Sequence, residues 1–430
     1  MKTTNKILMI INEFPPTGES GVQRPLKFLK FLSKANWETF VITPNKPTKD
    51  ILDPTLLQDI PLDTSISRTY SLGLVGKGVD HVANIRANVE GSSHTYKSIL
   101  WKSLKFFNDL LFPIDKQIGW VPFACVKSIQ LIKKHNIRNI YITAFPFSAF
   151  IIGLLLKLIF GKRIYWVADY RDAWQFAPQL SSSIHKFRMK VIIRWDRNVL
   201  ESADRIVFVS DFIRDRYLKE YPWINSKSVT INNGYDEDDF SHLIPYKFDR
   251  YTFLFMGKLY TGLRDPSNVL TAIQKSDQIS EYQFVHIGSC PTDLLAELYA
   301  KFQTVYDFWN YKPHHEALNY ASGAAINVVI FSEDESSLSG MPGGKFFELL
   351  RIGKPILAVG PDSSRIREYL RQYENCRYAY LEDEMEITRC IRELIHISET
   401  SETKMIYSEF SRENLTKELI SLYDDYPAHY

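Results

Sequence analysis

The feature that most constrains this chain is a rhythm that starts twice: short apolar runs alternate with amphipathic segments, first from residue 6 and again from residue 251. Residues 6–11 read as a buried strand, and 22–33 as a helix whose Val22, Leu26, Leu29, Phe31 and Leu32 form one apolar face. Further strands are expected at 40–43, 140–142, 164–167, 205–209 and 228–231. The second series opens with a strand at 251–257 and continues at 282–287, 325–330 and 355–359, with helices such as 265–276 and 344–352 between. Alternation of this kind builds βαβ units and parallel sheets. At 430 residues the chain exceeds one ordinary core. The expected fold class is therefore α/β, with two tandem Rossmann-like domains over residues 1–245 and 246–410. A linker is expected near 239–250, and residues 401–423 read as a long terminal helix.

Two stretches break the rhythm. Residues 45–98 are rich in turn formers and poor in periodicity, which reads as an irregular insertion. Residues 99–113 are aromatic, basic and helical in spacing, and are read as a core helix in preference to an interfacial one.

Composition excludes several classes. With 45% hydrophobic and 24% charged residues the chain is globular rather than disordered. Cys125, Cys290, Cys376 and Cys390 lack zinc-motif spacing and suggest no disulfide framework, so a reducing compartment is expected. The apolar run at 7–11 is too short for a signal peptide, and Asn12-Glu13 follows it directly. Residues 149–160 are too few to cross a bilayer and contain Lys157. A cytoplasmic protein is expected, peripheral at most on the inner face of the cytoplasmic membrane. Charge is uneven: 33 Lys and Arg stand against 23 Asp and Glu through Pro245, and 19 against 27 after it. The basic front half suits an anionic membrane surface or a lipid phosphate, and no nucleic-acid motif accompanies it.

Five short constellations carry chemistry. After the first strand, Gly18 and Gly21 open a helix with Arg24, a loop able to meet an anion through backbone N–H groups. It is not GxGxxG, and Thr43-Pro44 replaces the acidic residue of dinucleotide binders. Asp169-Tyr170-Arg171-Asp172 sits at the end of a strand, where two carboxylates around an arginine could serve an acceptor hydroxyl or form a structural ion cluster. Ser210 is placed as a helix N-cap, and Asn233-Gly234-Tyr235-Asp236 as a turn. Lys258 and Arg264 bracket a loop before a helix and suit a diphosphate. Finally, Met341, Gly343, Gly344 and Lys345 precede or open a helix that carries Glu348. Lys345 there opposes the helix dipole unless an anion is present. Phe346 follows the lysine where a P-loop needs Ser or Thr, so ATP hydrolysis is not indicated.

In this order, these pieces resemble the GT-B glycosyltransferases of family 4. The resemblance rests on Pro15-Pro16 with Gly21 and Arg24, the Asp169–Asp172 box, Ser202-Ala203-Asp204 with Val209-Ser210, and Asn233-Gly234-Tyr235-Asp236. Gly257-Lys258, Tyr311 with His314-Glu316-Ala317-Leu318, and Gly344-Lys345-Phe346-Phe347-Glu348 complete it. It implies two domains facing across a cleft, the tail 411–430 returning to the front domain, and no metal or other cofactor. Donor binding falls to Gly21, Arg24, Lys258, Arg264, Met341, Gly343, Gly344, Lys345 and Glu348, with Glu348 as ribose ligand. Asp169, Arg171 and Asp172 are the catalytic candidates, near a glycan or lipid-linked acceptor. A retaining, metal-independent transfer from a nucleotide-sugar is expected. Two other readings are a nucleotide-sugar epimerase and a non-catalytic sugar-nucleotide-binding partner. One departure stands out: family members often carry a second glutamate eight positions before Glu348, where this chain has Gly340.

Overall fold

A computed structural model describes residues 5–18, 20–47, 51–72, 114–176, 186–260, 264–275, 279–331, 343–400 and 407–424. The chain forms two compact units, Met1–Asn232 with Thr416–Tyr430, and Asn233–Leu415.

In the front unit the elements run β1 (Lys6–Ile10), α1 (Ser20–Lys34), β2 (Glu38–Pro44), β3 (Ser65–Thr69), α2 (Val121–His135), β4 (Asn139–Ala144) and α3 (Ala149–Phe160). They continue with β5 (Tyr165–Tyr170), α4 (Lys186–Ser202), β6 (Arg205–Phe208), α5 (Asp211–Glu220) and β7 (Ser228–Thr230). All neighbouring strands pair in parallel in the order β3-β2-β1-β4-β5-β6-β7. The direction of winding reverses between β1 and β4, where open α/β sheets bind ligands beyond the carboxyl ends of the strands. The central strands are buried on both faces because helices cover them, which explains their unbroken apolar runs. Helix α1 seats Val22, Leu26, Phe28, Leu29 and Leu32 in the core, each side chain contributing about 1.5–3 kcal/mol by leaving water. Ser210 caps α5 as its type suggests, its Oγ accepting from the Ile213 N–H at 3.3 Å.

The back unit repeats the plan. It comprises β8 (Tyr251–Lys258), α6 (Ser267–Gln274), β9 (Tyr282–Ser289), α7 (Thr292–Phe302), β10 (Tyr306–Asn310), α8 (His314–Gly323) and β11 (Ile326–Ile330). Then come α9 (Gly344–Ile352), β12 (Ile356–Gly360), α10 (Ser364–Arg371), β13 (Cys376–Tyr380) and α11 (Glu384–Thr400). The parallel order β10-β9-β8-β11-β12-β13 places its reversal between β8 and β11. Gly353 ends α9 with φ 75°, a left-handed cap that an L side chain would strain.

Helix α12 (Arg412–Asp424) closes the described chain, and residues from Thr416 onward belong to the front unit. There Tyr423 donates its hydroxyl to the Ile140 carbonyl at 3.1 Å, and its ring packs beside Trp37 and Tyr165.

Several expectations change. The stretch expected to be irregular contains a 3-10 turn at Pro54–Asp59 and the edge strand β3. The expected terminal helix over 401–423 begins only at Arg412, and residues 401–406 lie outside the described residues. The expected helix at 99–113 lies outside them too. Strand β5 runs on to Tyr170, so Asp169 belongs to the sheet and not to the loop beyond it. No described helix is long and apolar enough to cross a membrane.

Candidate active site

In the front unit the loops after β1, β4 and β5 meet at one end of the sheet, and arginines tie them together. The Arg24 guanidinium, on α1, forks onto Asp169: Nη2 donates to Oδ1 at 2.9 Å and Nε to Oδ2 at 3.0 Å. Its Nη1 donates to the Asn232 carbonyl at 2.8 Å. Tyr141 and Thr143 add their hydroxyls to Asp169 Oδ2 at 2.5 and 2.9 Å. Both ion-pair partners are buried. Burial by itself would raise the Asp169 carboxyl, but Arg24 and these hydrogen bonds outweigh it and hold it below its ordinary value. Arg24 and Asp169, expected to face donor and acceptor, therefore face each other.

Arg171 clamps the other side. Its Nε donates to the Ala144 carbonyl at 2.8 Å, one Nη to the Gly21 carbonyl, and the other to the Phe145 carbonyl at 2.7 Å. It also pairs with Glu13 at 3.4 Å. A Cβ on Gly21 would overlap the Glu13 carboxylate and the Arg171 guanidinium, so a side chain there would require those two groups to shift. Asp172 is exposed to solvent. Desolvation by neighbouring protein raises its carboxyl, with Arg171 opposing and Glu13 adding to the effect. Of the three catalytic candidates, Asp172 is the one that water reaches freely.

The back unit holds its charges differently. Lys258 ends β8, and its Nζ lies 5.0 Å from the centre of the Tyr260 ring; the Arg264 guanidinium lies 5.9 Å from the same ring. Among the described residues neither cation has a carboxylate partner. Burial lowers Arg264 from its usual value, with Tyr260 opposing. Lys345, in the first turn of α9, donates to the Met256 carbonyl at 3.3 Å, which brings that turn against the end of β8. The positions where side chains at Gly343 and Gly344 would project are open among the described residues. Glu348, one turn on, accepts from His314 Nε2 at 2.9 Å. Burial pushes the Glu348 carboxyl up, yet His314, Lys345 and Arg412 together bring it below its ordinary value. Beneath this cluster, His286 is buried between the Tyr306 hydroxyl at 3.0 Å and the Gly257 carbonyl at 2.9 Å. Burial pushes it down to about 4, and Lys345 adds to the effect. The ring is thus neutral, with Nε2 donating to Gly257 and Nδ1 accepting from Tyr306.

The structure thus gathers Lys258, Arg264, Gly343, Gly344, Lys345 and Glu348 at the carboxyl end of the back sheet, beside its β8/β11 reversal. Met341 lies outside the described residues. Gly21, Arg24, Asp169, Arg171 and Asp172 gather at the corresponding end of the front sheet. Sequence reasoning missed Glu13, His286 and the link between His314 and Glu348. Those three act through partners 158, 29 and 34 positions away, a relation no local pattern encodes. The cavity of about 640 Å³ in the back unit is elsewhere: it is lined by Phe240, Tyr246, Phe248, Arg250 and Lys354, near the amino end of β8.

Residues 95–239 match the family model described as Glycosyltransferase Family 4. No curated protein sequence matches the chain. Among solved structures, the chain is similar to sucrose-phosphate synthase from Thermosynechococcus elongatus, at 14% identity over 98% of both chains with a TM-score of 0.65. It is also similar to Anabaena HepE, solved in complex with UDP, at 12% identity over 97% of this chain and 99% of that one, TM-score 0.61. A third is WaaG, a glycosyltransferase involved in lipopolysaccharide biosynthesis, at 11% identity over 97% and 99%, TM-score 0.57. At such identities these likenesses speak for the fold alone. The two-sheet architecture of the whole chain is that of the GT-B fold, and residues 95–239 are similar to family 4 glycosyltransferases.

Proposed function

We propose that the protein moves a sugar from a nucleotide-sugar donor to a glycan or lipid-linked acceptor, with the donor seated in the back unit. The observation that carries this reading is the pair Lys258 and Arg264, two cations around Tyr260 without carboxylate partners among the described residues, near the glycines that open α9. A diphosphate pairs with these cations, and Glu348 accepts from the ribose hydroxyls. In the front unit Asp172 is the carboxylate offered to the acceptor, whereas Arg24, Asp169 and Arg171 position the loops around it. The leaving diphosphate is stabilised by the cations and the α9 N-terminus, so the transfer proceeds without a metal, and the anomeric configuration is retained. The basic front half suits peripheral contact with an anionic inner membrane face.

Incubation with a panel of UDP-, GDP- and TDP-sugars tests the reading, beginning with UDP because HepE was solved with it. Acceptor-dependent release of nucleotide supports transfer. A changed sugar without release means epimerisation, and binding with neither means a silent partner. Turnover abolished by a chelator and restored by a divalent ion would overturn metal independence. Product anomeric configuration, read by NMR, checks retention, and flotation with anionic vesicles at low salt checks membrane contact.

A further inference from the structure

Glu348 presents an asymmetry that its proposed role does not explain. Its side chain is 12% exposed and accepts one hydrogen bond, on Oε1, from His314 Nε2 at 2.9 Å. Among the described residues its other oxygen, Oε2, accepts none. The partner comes from a different element: His314 is the first residue of α8, whereas Glu348 lies on α9, and the two helices pack together. Lys345 is one turn before Glu348 on the same helix and competes for the same carboxylate.

We propose that His314 is the positioning residue for the donor's ribose. By holding Oε1 it fixes the rotation of the Glu348 carboxylate, keeps it from folding back onto Lys345, and leaves Oε2 to receive the ribose hydroxyls. Lys345 then stays with the phosphates. The inference rests on the donor-seat reading above and adds to it a residue and a selectivity: recognition of ribose over deoxyribose depends on a histidine that does not itself touch the sugar.

Calorimetric titration of the full chain with UDP and GDP, and with their 2′-deoxy and 3′-deoxy analogues, tests this. The wild type is expected to favour the ribose form of its preferred diphosphate by about tenfold or more, the worth of a hydrogen bond to a charged group. His314→Ala is expected to bring that ratio close to one, while His314→Gln, which can still donate, keeps most of it. A purely structural staple between α8 and α9 would lower thermal stability and weaken all the nucleotides alike, leaving the ratio unchanged, and that outcome overturns the proposal. Glu348→Gln separates the two levels. If it abolishes the ratio while His314→Ala leaves it intact, the ribose seat stands and the role of His314 falls. If Glu348→Gln leaves the ratio intact, or the wild type binds neither diphosphate, the seat itself falls and the inference with it.

Discussion

The two ends of strand that carry this protein's charges are built on opposite principles. In the front unit, Arg24 and Asp169 are buried and satisfy each other, with Tyr141, Thr143 and the Asn232 carbonyl completing the set. In the back unit, Lys258 and Arg264 flank a tyrosine ring and meet no carboxylate among the described residues. A satisfied buried pair fixes geometry, and removing one partner strands a charge in a poor solvent. A cation left without a counter-ion contributes little to the fold and keeps its attraction for a ligand. The comparison teaches that charge in a site is informative only once its partners are known.

The comparison can be broken at four points. The largest expected effect is on the fold: Arg24→Ala should destabilise the protein by about 3–5 kcal/mol, read by denaturant unfolding, because Asp169 remains buried without its cation. A loss below about 1 kcal/mol would mean that the pair is not the scaffold it resembles. Next, Lys258→Ala should leave unfolding unchanged and remove about 2–4 kcal/mol of transition-state stabilisation, read as kcat/KM. Near-wild-type turnover would remove it from the diphosphate clamp.

Asp196 sharpens the contrast, since it is buried among Tyr170 and Tyr217 hydroxyls at 2.8 and 2.6 Å. Burial raises its carboxyl to about 6, against the lowering effect of those hydroxyls. A raised carboxyl stabilises the fold fully below its unfolded pKa, and the contribution is lost as pH rises through about 6. Wild type should therefore lose up to about 3 kcal/mol relative to Asp196→Asn between pH 4 and 7. Parallel stability profiles for the two proteins would contradict this. The smallest effect belongs to Arg351, whose bidentate pair with Glu237 is solvent-accessible. Arg351→Ala should change stability by about 1 kcal/mol or less, with the difference shrinking in high salt.

What was legible in the sequence follows the same physics. Central strands such as β1, β4 and β12 are buried on both faces, so their apolar runs are continuous and visible. The strands not anticipated, β3, β10 and β13, all lie at sheet edges. There residues such as Arg68, Asp307 and Arg377 interrupt the apolar signal, because an edge needs only one partner strand and tolerates water. Helix α9 was legible from Gly344 through Ile352, since glycines bracket an apolar face. In the site, the residue types at Lys258 and Glu348 pointed to phosphate and ribose chemistry. Nothing local distinguished Asp169 from Asp172, although one is sealed in the sheet and the other open to solvent.

By itself, then, the sequence determined the class of fold and the number of sheets, and it offered the groups proposed to carry the chemistry. It could do so because periodicity and residue type are local properties. Tertiary structure decided which charges are spent and which are available. The Arg24–Asp169 pair joins residues 145 positions apart, and His314 reaches Glu348 across 34. Whether a charge is neutralised by the protein or left for a ligand depends on neighbours that only folding brings within a few ångströms.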